Sequence, residues 1–427
     1  MIKFAYQSER RGAALIYNIM KRIAIVADDV ALPGEKGLGR LYYLACLMQS
    51  EGLNVELITA DFQHWEKRRR SSADISRLRE QSPVKLTFIH ELTYSRNIDP
   101  KRIVSYRVLG KNCIKYLKTQ RYDLVYALIP DNHLCALTGK YAAKNNIPFV
   151  VDVEDLWPEA MRMALDVPLL SDILFSYFSV NAKKAYTLAD AVVGSSDEYR
   201  DEPKKYKITP PQSLTCYVGS EVSRFFSCAA ENRNPDIDNN IFRLCYAGTL
   251  GTSYDIDTLI EAVAILNKKG YTDISCELLG DGPLREQFEL NAKRSGANVN
   301  FHGYLPFEIM AARISECDVT VNSLVAKASQ SIVSKIGDYL AAGKPMINTG
   351  LNKEFCEKVT ADGFGINVPP HNAAALADAI LRLYGDRELC EKMSEAARRV
   401  SEQFDRPKTY LNIVRMVKRL CGENTAE

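Results

Sequence analysis

The chain has 427 residues, of which 46% are hydrophobic and 25% charged, and its formal net charge is +2. A chain of this length exceeds one ordinary hydrophobic core, so two domains are the natural expectation. The small net charge gives no support for a nucleic-acid partner. Because its eleven cysteines form no C-x-x-C pair and no cluster of Asp or His stands out, we expect no metal site.

The first residues do not have the layout of a signal peptide, because their apolar stretch is short and Lys21 and Arg22 follow it closely. From Met20 the chain reads like an ordinary start that leads directly into a strand. We therefore expect residues 1–19 to be an extension outside the fold. No run of 18 or more apolar residues occurs, so the sequence predicts no membrane-spanning helix.

Short apolar runs alternate with helical stretches in the first half of the chain, a pattern typical of a parallel sheet with helices on both faces. The predicted strands are RIAIVADD (22–29), NVELIT (54–59), LVYALI (124–129), PFVVDV (148–153) and AVVGSS (191–196). A second cycle begins with FRLCYAG (242–248). We therefore predict two consecutive Rossmann-like domains, 20–215 and 216–405, followed by a helix and tail, 406–427, that could pack on either domain.

Ligands of open α/β sheets bind beyond the carboxyl ends of the strands, where glycine turns and helix N-termini meet. By this reasoning the candidate ligand-binding glycines are Gly37 and Gly39 in the first domain and Gly248, Gly251, Gly280 and Gly282 in the second. Neither half contains G-x-G-x-x-G with a well-placed acidic residue, and no P-loop motif occurs. Dinucleotide oxidoreductase and P-loop NTPase functions are therefore poorly supported.

The stretch SKIGDYLAAGKPMI (334–347) places Lys335 and Asp338 three residues apart, on one face of a predicted helix. One interpretation is a local ion pair on a solvated surface. The other is a site that binds a phosphate and a sugar hydroxyl side by side.

Several motifs together resemble a known family. YAGTLG, LLGDGPLREQFE, NVNFHGYLP, CDVTVNSL, SKIGDYLAAGKPMI and GFGINVPP follow the order and spacing of the donor half of family 4 glycosyltransferases. VDVEDLWPEAM resembles the D-L-W-P-E signature of the branch that assembles bacterial capsule and O-antigen polysaccharides. The resemblance implies the α/β GT-B fold, with two Rossmann-like domains facing across a cleft and a C-terminal helix able to cross back to the N-terminal domain.

The resemblance implies a nucleotide-sugar donor site in the C-terminal domain, where Lys335 binds the diphosphate and Asp338 the ribose. This chain departs from the family pattern at three positions. Gln330 stands where an acidic residue is usual. Thr249 and a position near Tyr254 stand where the better-known members carry two loop cations. The remaining donor-side residues implied by the motifs are Gly248, Gly251, Gly280, Gly282, Tyr304, Ser331 and Ser334.

The N-terminal domain is expected to hold the acceptor. Glu154 occupies the position where many relatives carry a histidine, and Asp155 matches the signature aspartate. We expect Asp155 to orient or deprotonate the acceptor hydroxyl, although it would equally suit a helix N-cap before LWPEAM. His133, Gly37 and Gly39 are the other acceptor-side candidates.

The implied activity is that of a retaining, metal-independent hexosyltransferase without a cofactor. Its expected partners are a nucleotide-sugar, a polyprenyl-diphosphate-linked glycan and the cytoplasmic face of the inner membrane. Two alternatives remain open: a nucleotide-sugar epimerase of similar fold, and a non-catalytic protein that binds nucleotide-sugar. Gln330 and the missing loop cations keep the second alternative open.

The segment 65–121 contains fifteen Lys or Arg against five Asp or Glu. It includes Arg68, Arg69 and Arg70, and later a predicted helix in which basic residues interleave with aliphatic ones. Such a helix suits an anionic lipid interface. It would also suit packing on its own domain with a solvated basic face.

Overall fold

The computed structural model describes residues 20–35, 37, 39–96, 99–159, 170–328 and 332–423. The chain divides into two compact units: unit 1 runs to Cys216 and resumes at Tyr410, and unit 2 comprises Tyr217–Thr409. Each unit is built on one parallel sheet flanked by helices, which confirms the predicted α/β class and the two Rossmann-like halves. The expected extension, residues 1–19, lies outside the described residues.

The sheet of unit 1 has seven strands in the order β5-β2-β1-β6-β7-β8-β9, and each neighbouring pair is parallel. The strands are β1 (Arg22–Val26), β2 (Asn54–Ala60), β5 (Lys85–Ile89), β6 (Leu124–Ile129), β7 (Phe149–Val153), β8 (Ala191–Gly194) and β9 (Gln212–Thr215). A separate antiparallel hairpin joins β3 (Phe62–Gln63) to β4 (Arg68–Arg69). The carboxyl ends of all seven parallel strands therefore meet at one edge.

Helices cover both faces of this sheet because alternate strand residues point to opposite sides. Ile23 and Ile25 of β1 belong to one apolar cluster, whereas Ala24 and Val26 belong to the other. The helices are α1 (Arg40–Ser50), α2 (Ser72–Gln81), α3 (Pro100–Leu117), α4 (Asn132–Lys144), α5 (Leu170–Leu188) and α6 (Asp197–Asp201).

The sheet of unit 2 has six parallel strands in the order β12-β11-β10-β13-β14-β15. They are β10 (Phe242–Ala247), β11 (Ile274–Leu279), β12 (Val299–Gly303), β13 (Val319–Asn322), β14 (Met346–Asn348) and β15 (Gly365–Asn367). The helices of this unit are α7 (Val222–Glu231), α8 (Ile256–Lys268), α9 (Arg285–Ser295), α10 (Phe307–Ser315), α11 (Lys335–Ala341), α12 (Lys353–Asp362), α13 (Ala373–Gly385) and α14 (Arg387–Ser401).

The last helix, α15 (Arg406–Leu420), connects the end of unit 2 to unit 1. Its apolar residues Ile413, Val414 and Val417 are buried in the same cluster as Ile23 of β1 and Leu44 of α1. The helix therefore packs on the N-terminal unit, one of the two placements that the sequence left open. Within the described ranges, no helix combines the length and apolarity needed to cross a bilayer.

Candidate functional site

Lys335 is the first residue of α11, and its side chain is only 8% exposed. Its Nζ has no hydrogen-bond partner among the described residues. That nitrogen lies 3.9 Å from the ring centroid of Tyr246 and 4.1 Å from that of Tyr254. Burial lowers the pKa of Lys335 well below its ordinary value, and the two ring faces offset part of that effect because they favour the ammonium form. Lys335 is thus a buried, unpaired amine, and the interpretation of a solvated ion pair with Asp338 is wrong.

Two glycine turns lie beside this amine. Gly248 follows β10 with φ +147°, and Gly280 follows the neighbouring β11 with φ +149°. A Cβ atom on Gly280 would lie 1.9 Å from the Gly248 carbonyl oxygen, and one on Gly248 would lie 3.0 Å from Lys335 Nζ. Gly282 packs as closely against the first turn, in which Gly251 also lies. The structure therefore brings the predicted donor-side glycines and Lys335 together at the carboxyl edge of the unit 2 sheet.

Asp338 lies one turn further along α11 and contacts a different element. Its Oδ1 accepts a hydrogen bond of 2.6 Å from the Ser220 hydroxyl. Burial raises the pKa of Asp338 to about 6, and the Ser220 hydrogen bond and the Arg406 charge oppose that rise. One carboxylate oxygen is thus already in use, and the other is the one that would contact a ligand.

The other donor-side candidates are either exposed or lie outside the described residues. Ser334 directly precedes α11 and is exposed. Tyr304 follows the edge strand β12, two strands away from β10, and is 82% exposed. Gln330 and Ser331 lie outside the described residues, so their predicted roles stay predictions.

In unit 1, four carboxyl groups occupy equivalent places at the carboxyl edge of the sheet. Asp28, Glu91, Asp131 and Asp155 each stand two residues beyond the end of a strand: β1, β5, β6 and β7, respectively. Of these four carboxyl groups, only Asp155 is predicted from the sequence. The recurring offset from the end of an apolar run is a signal for Asp28 and Asp131, whereas Glu91 follows β5, whose apolar pattern is weak.

Three of these carboxyls, Asp28, Glu91 and Asp131, are buried together around Arg102 of α3. Burial raises the pKa of Asp28 and raises those of Glu91 and Asp131 to about 8, while the Arg102 charge opposes each rise. The Arg102 guanidinium lies 4.7 Å from the ring centroid of Trp157. Trp157 of the D-L-W-P-E motif therefore helps to position the cation that partly neutralises this cluster.

Asp155 accepts hydrogen bonds from the two residues that follow it. Its Oδ1 accepts a hydrogen bond from the Leu156 amide at 2.9 Å, and its Oδ2 accepts one from Trp157 Nε1 at 3.2 Å. Burial raises the pKa of Asp155. Neither contact is that of a helix N-cap, which accepts from the amide two or three residues on, so both the N-cap role and the acceptor role of Asp155 stay predictions.

Glu154 belongs to a buried ionic network that sequence analysis did not predict. Arg40 Nη1 donates to Glu154 Oε1 at 2.8 Å and to Asp152 Oδ2 at 2.7 Å. Its Nε donates to the Tyr410 hydroxyl of α15 at 3.1 Å. Nothing in the local sequence marks Arg40 as buried, because its partners come from distant parts of the chain.

The remaining acceptor-side candidates lie at the same edge. The backbone amide of His133 donates to Asp131 Oδ1 at 2.7 Å, and its half-buried ring lies 5.7 Å from that of Tyr177. Burial lowers the pKa of His133. Gly37 packs against Trp65, and Gly39 directly precedes α1. In the part of the chain that the structure describes, no group of three His, Cys, Asp or Glu is arranged to hold a metal ion.

The arginines predicted for a lipid contact are paired within unit 1. Arg70 is buried and donates to Glu35 at 2.7 Å, and Arg69 pairs with Asp61. Arg68 pairs with Glu66 and Asp74. Burial thus removes Arg70 from any lipid contact, whereas the Arg68 and Arg69 side chains remain 43% and 36% exposed and their contact with lipid stays a prediction.

The basic helix α3 packs on its own domain through its aliphatic side, because Leu109 and Leu117 are buried. Its opposite side is solvated. The exposed cations on it, here called the α3 basic stripe, are Lys101, Arg107, Lys111 and Lys115. No Asp or Glu occurs within α3.

Residues 230–400 match the family of glycosyl transferases group 1. This range contains the Gly248 and Gly280 turns and Lys335, but only two-fifths of the chain. Alpha-D-kanosaminyltransferase of Streptomyces kanamyceticus is 27% identical over 227 residues, which are 50% of this chain and 56% of that enzyme. The chain thus spans about half the length of this curated relative.

Solved structures of GT-B glycosyltransferases share the fold. Anabaena Alr3699/HepE in complex with UDP superposes with a TM-score of 0.68 at 16% identity, covering 94% of this chain and 100% of that one. WaaG, a glycosyltransferase involved in lipopolysaccharide biosynthesis, gives 0.63 at 14% identity, covering 93% and 99%. At these identities the likeness establishes the GT-B fold and nothing finer.

Proposed function

We propose that the protein is a retaining glycosyltransferase that moves a sugar from a nucleotide-sugar to a lipid-linked glycan in bacterial surface polysaccharide biosynthesis. The observation that carries the proposal is the buried, unpaired amine of Lys335 beside the Gly248 turn, within the range that matches glycosyl transferases group 1. The lipopolysaccharide role of WaaG and the D-L-W-P-E motif support the choice of pathway and acceptor.

The donor site would work by charge compensation. As the bond between sugar and diphosphate breaks, negative charge grows on the leaving group, and a fixed cation beside it stabilises the transition state. Lys335 supplies that cation, and the backbone of the Gly248 turn supplies further donors. Asp338 would accept hydrogen bonds from ribose hydroxyls through the oxygen that Ser220 leaves free. No metal is required in this scheme.

The acceptor side would use Asp155, whose raised pKa brings it closer to that of a proton acceptor at neutral pH. Glu154 and His133 lie near the same edge and would contact the sugar chain. Arg40 holds Glu154 in a fixed orientation.

Membrane association would use the α3 basic stripe. Each basic residue near an anionic surface contributes about 1 kcal/mol, and the contribution fades within a Debye length. We propose that the protein sits at the cytoplasmic face of the inner membrane, where a polyprenyl-diphosphate acceptor is anchored.

The decisive experiment supplies a radiolabelled nucleotide-sugar with and without a polyprenyl-diphosphate-linked glycan, in buffer containing EDTA. Label that enters the lipid fraction only when the acceptor is present supports the proposal. Conversion of the free donor to another sugar without acceptor would indicate an epimerase. Donor binding without turnover of any acceptor would indicate a non-catalytic protein.

A further inference from the structure

Three asparagines end three adjacent strands in the unit 2 sheet. Asn322, Asn348 and Asn367 are the last residues of β13, β14 and β15, and the strand register pairs each with the next. Asn322 Nδ2 donates to Asn348 Oδ1 at 2.8 Å, and Asn348 Nδ2 donates to Asn367 Oδ1 at 2.8 Å. We call this row the asparagine ladder.

Backbone contacts fix the orientation of each amide in the ladder. Asn348 Oδ1 also accepts from the Gly350 amide at 3.1 Å, and Asn348 Nδ2 also donates to the Gly350 carbonyl at 3.2 Å. At the outer end, Asn367 Nδ2 donates to the Cys356 carbonyl at 2.9 Å. With both of these amides fixed, Asn322 must present its nitrogen to Asn348 and direct its oxygen away from the ladder.

The Asn322 oxygen is left without a partner. The Asn322 side chain is 1% exposed, and its Oδ1 is buried without a hydrogen-bond partner in the described part of the chain. Buried polar atoms are nearly always satisfied, because an orphan acceptor loses its hydration without compensation. An orphan at the end of an otherwise complete ladder therefore needs a partner from outside the chain, either an ordered water or a bound ligand group.

Strand register places Asn322 at the carboxyl edge of the unit 2 sheet, where the Gly248 turn and Lys335 also lie. Cys245 of β10 pairs with Thr320 of β13, so Asn322 continues the register opposite Ala247, directly before the Gly248 turn. Side chains alternate along a strand, so Asn322 lies on the same face as Ala247, which packs in one cluster with Ile336 of α11. Asn322 thus shares the carboxyl edge and the sheet face with the helix that begins at Lys335.

The edge therefore carries two buried, unpartnered groups of opposite kind: the Lys335 amine, which attracts an anionic oxygen, and the Asn322 oxygen, which needs an O–H or N–H donor. A sugar joined to a diphosphate carries both matching groups close together: the anionic oxygens of the diphosphate and the hydroxyl donors of the sugar. The inference rests on the proposed function, and it adds a contact to the transferred sugar itself.

We propose that Asn322 Oδ1 accepts a hydrogen bond from a hydroxyl or amino group of the transferred sugar, and that the asparagine ladder positions it. Asn322 is then a determinant of sugar recognition, distinct from the diphosphate contact of Lys335. Asn348 and Asn367 are positioning residues that act through Asn322.

Isothermal titration tests the proposal with matched ligand pairs: UDP with UDP-glucose, GDP with GDP-mannose and ADP with ADP-glucose. The pair that the wild type binds is then titrated into Asn322→Ala, Asn322→Ser and Asn367→Ala. Serine is one bond shorter than asparagine, so it removes the Asn322 oxygen and its contact with Asn348 while leaving a smaller void than alanine. Asn367→Ala is the matched control, because it cuts the ladder at its exposed end.

Both Asn322 variants should bind the nucleotide-sugar about tenfold more weakly and the nucleoside diphosphate within about twofold of wild type. In Asn367→Ala, the affinity for the nucleotide-sugar relative to the nucleoside diphosphate should fall by less than half as much as in the Asn322 variants. Equal losses for the two ligands in Asn322→Ser, or no loss for either, would overturn the proposal and assign the oxygen to a structural water. If the wild type binds none of the six ligands, the proposed function itself fails.

Discussion

Lys335 Nζ lies 4.1 Å from the ring centroid of Tyr254, close to where the family resemblance places a loop cation. A second cation at this position would repel Lys335, whereas the tyrosine ring attracts it. Lys335 is thus a buried amine held against tyrosine rings and not beside a second cation, and several consequences can be measured.

Replacement of Lys335 should abolish most transfer. Lys335→Ala should lower kcat by about 10²- to 10³-fold, because one fixed charge in the transition state is lost. Since the side chain is buried, the alanine variant should also lose about 1–3 kcal/mol of stability. Lys335→Met is the matched control: it keeps the aliphatic stem, so kcat should fall equally while the melting temperature stays near wild type. A methionine variant within threefold of wild-type kcat would remove Lys335 from the mechanism.

Donor binding should be coupled to proton uptake. The pKa of Lys335 is lowered by burial in the free protein, and a bound diphosphate would raise it again because it stabilises the ammonium form. Nucleoside diphosphate should therefore bind more tightly as the pH falls toward the lowered pKa. Calorimetry in buffers of different ionisation enthalpy would measure the uptake, which should vanish in Lys335→Met. A proton count of zero in the wild type would contradict the expectation.

Asp338→Asn should raise the donor KM while kcat is largely kept, because a ribose contact is made in the ground state and transition state alike. Ser220→Ala is the control, since it removes the hydroxyl that Asp338 accepts from and leaves the carboxylate intact. If Asp338 only holds the Ser220 segment, both variants should lower the melting temperature together and leave KM unchanged. A collapse of kcat at constant KM would assign Asp338 a different role.

The carboxyl cluster of unit 1 should make stability depend on pH. The pKa of Glu91 is raised to about 8 by burial and by Asp28 and Asp131, while Ser105 and Arg102 oppose the rise. The folded state then binds more protons than the unfolded state between the ordinary pKa and 8, so stability falls as the pH rises through that range.

Glu91→Gln removes this titration and retains an oxygen for the Ser105 hydroxyl, which donates to Glu91 Oε1 at 2.7 Å. At pH 8 the variant should be more stable than wild type by about 4 kcal/mol if the whole shift of the Glu91 pKa is removed. Thermal unfolding at pH 5 to 9 would show a flatter profile for the variant. Parallel profiles would mean that Glu91 is ionised in the folded protein.

Binding to anionic vesicles should depend on the α3 basic stripe. Replacing Arg107, Lys111 and Lys115 with Ser should strongly reduce co-sedimentation at low salt, because these side chains are exposed. Replacing Arg68 and Arg69 is the matched control, and since both are paired with carboxylates it should reduce binding less. If wild-type protein ignores anionic vesicles at low salt, a soluble acceptor becomes the better hypothesis.

The sequence by itself determined the two Rossmann-like halves, because short apolar runs such as LVYALI are typical of buried strands when helical stretches alternate with them. The sequence also predicted Lys335 and the glycine turns as residues of the donor side. Strand β5 (Lys85–Ile89) and strand β9 (Gln212–Thr215) were missed. Both are edge strands with fewer buried residues, so their pattern is weak.

Only the tertiary structure decided which charged groups are buried and what they contact. Arg40 meets Asp152 and Tyr410 across 112 and 370 residues of chain, and no local pattern encodes such a contact. The same holds for the asparagine ladder, because its rungs depend on strand order in the sheet. Periodicity reports which side of an element is apolar. Topology decides which distant polar side chains pair with one another. It therefore also decides which polar atoms, such as Lys335 Nζ and Asn322 Oδ1, have no partner among the described residues.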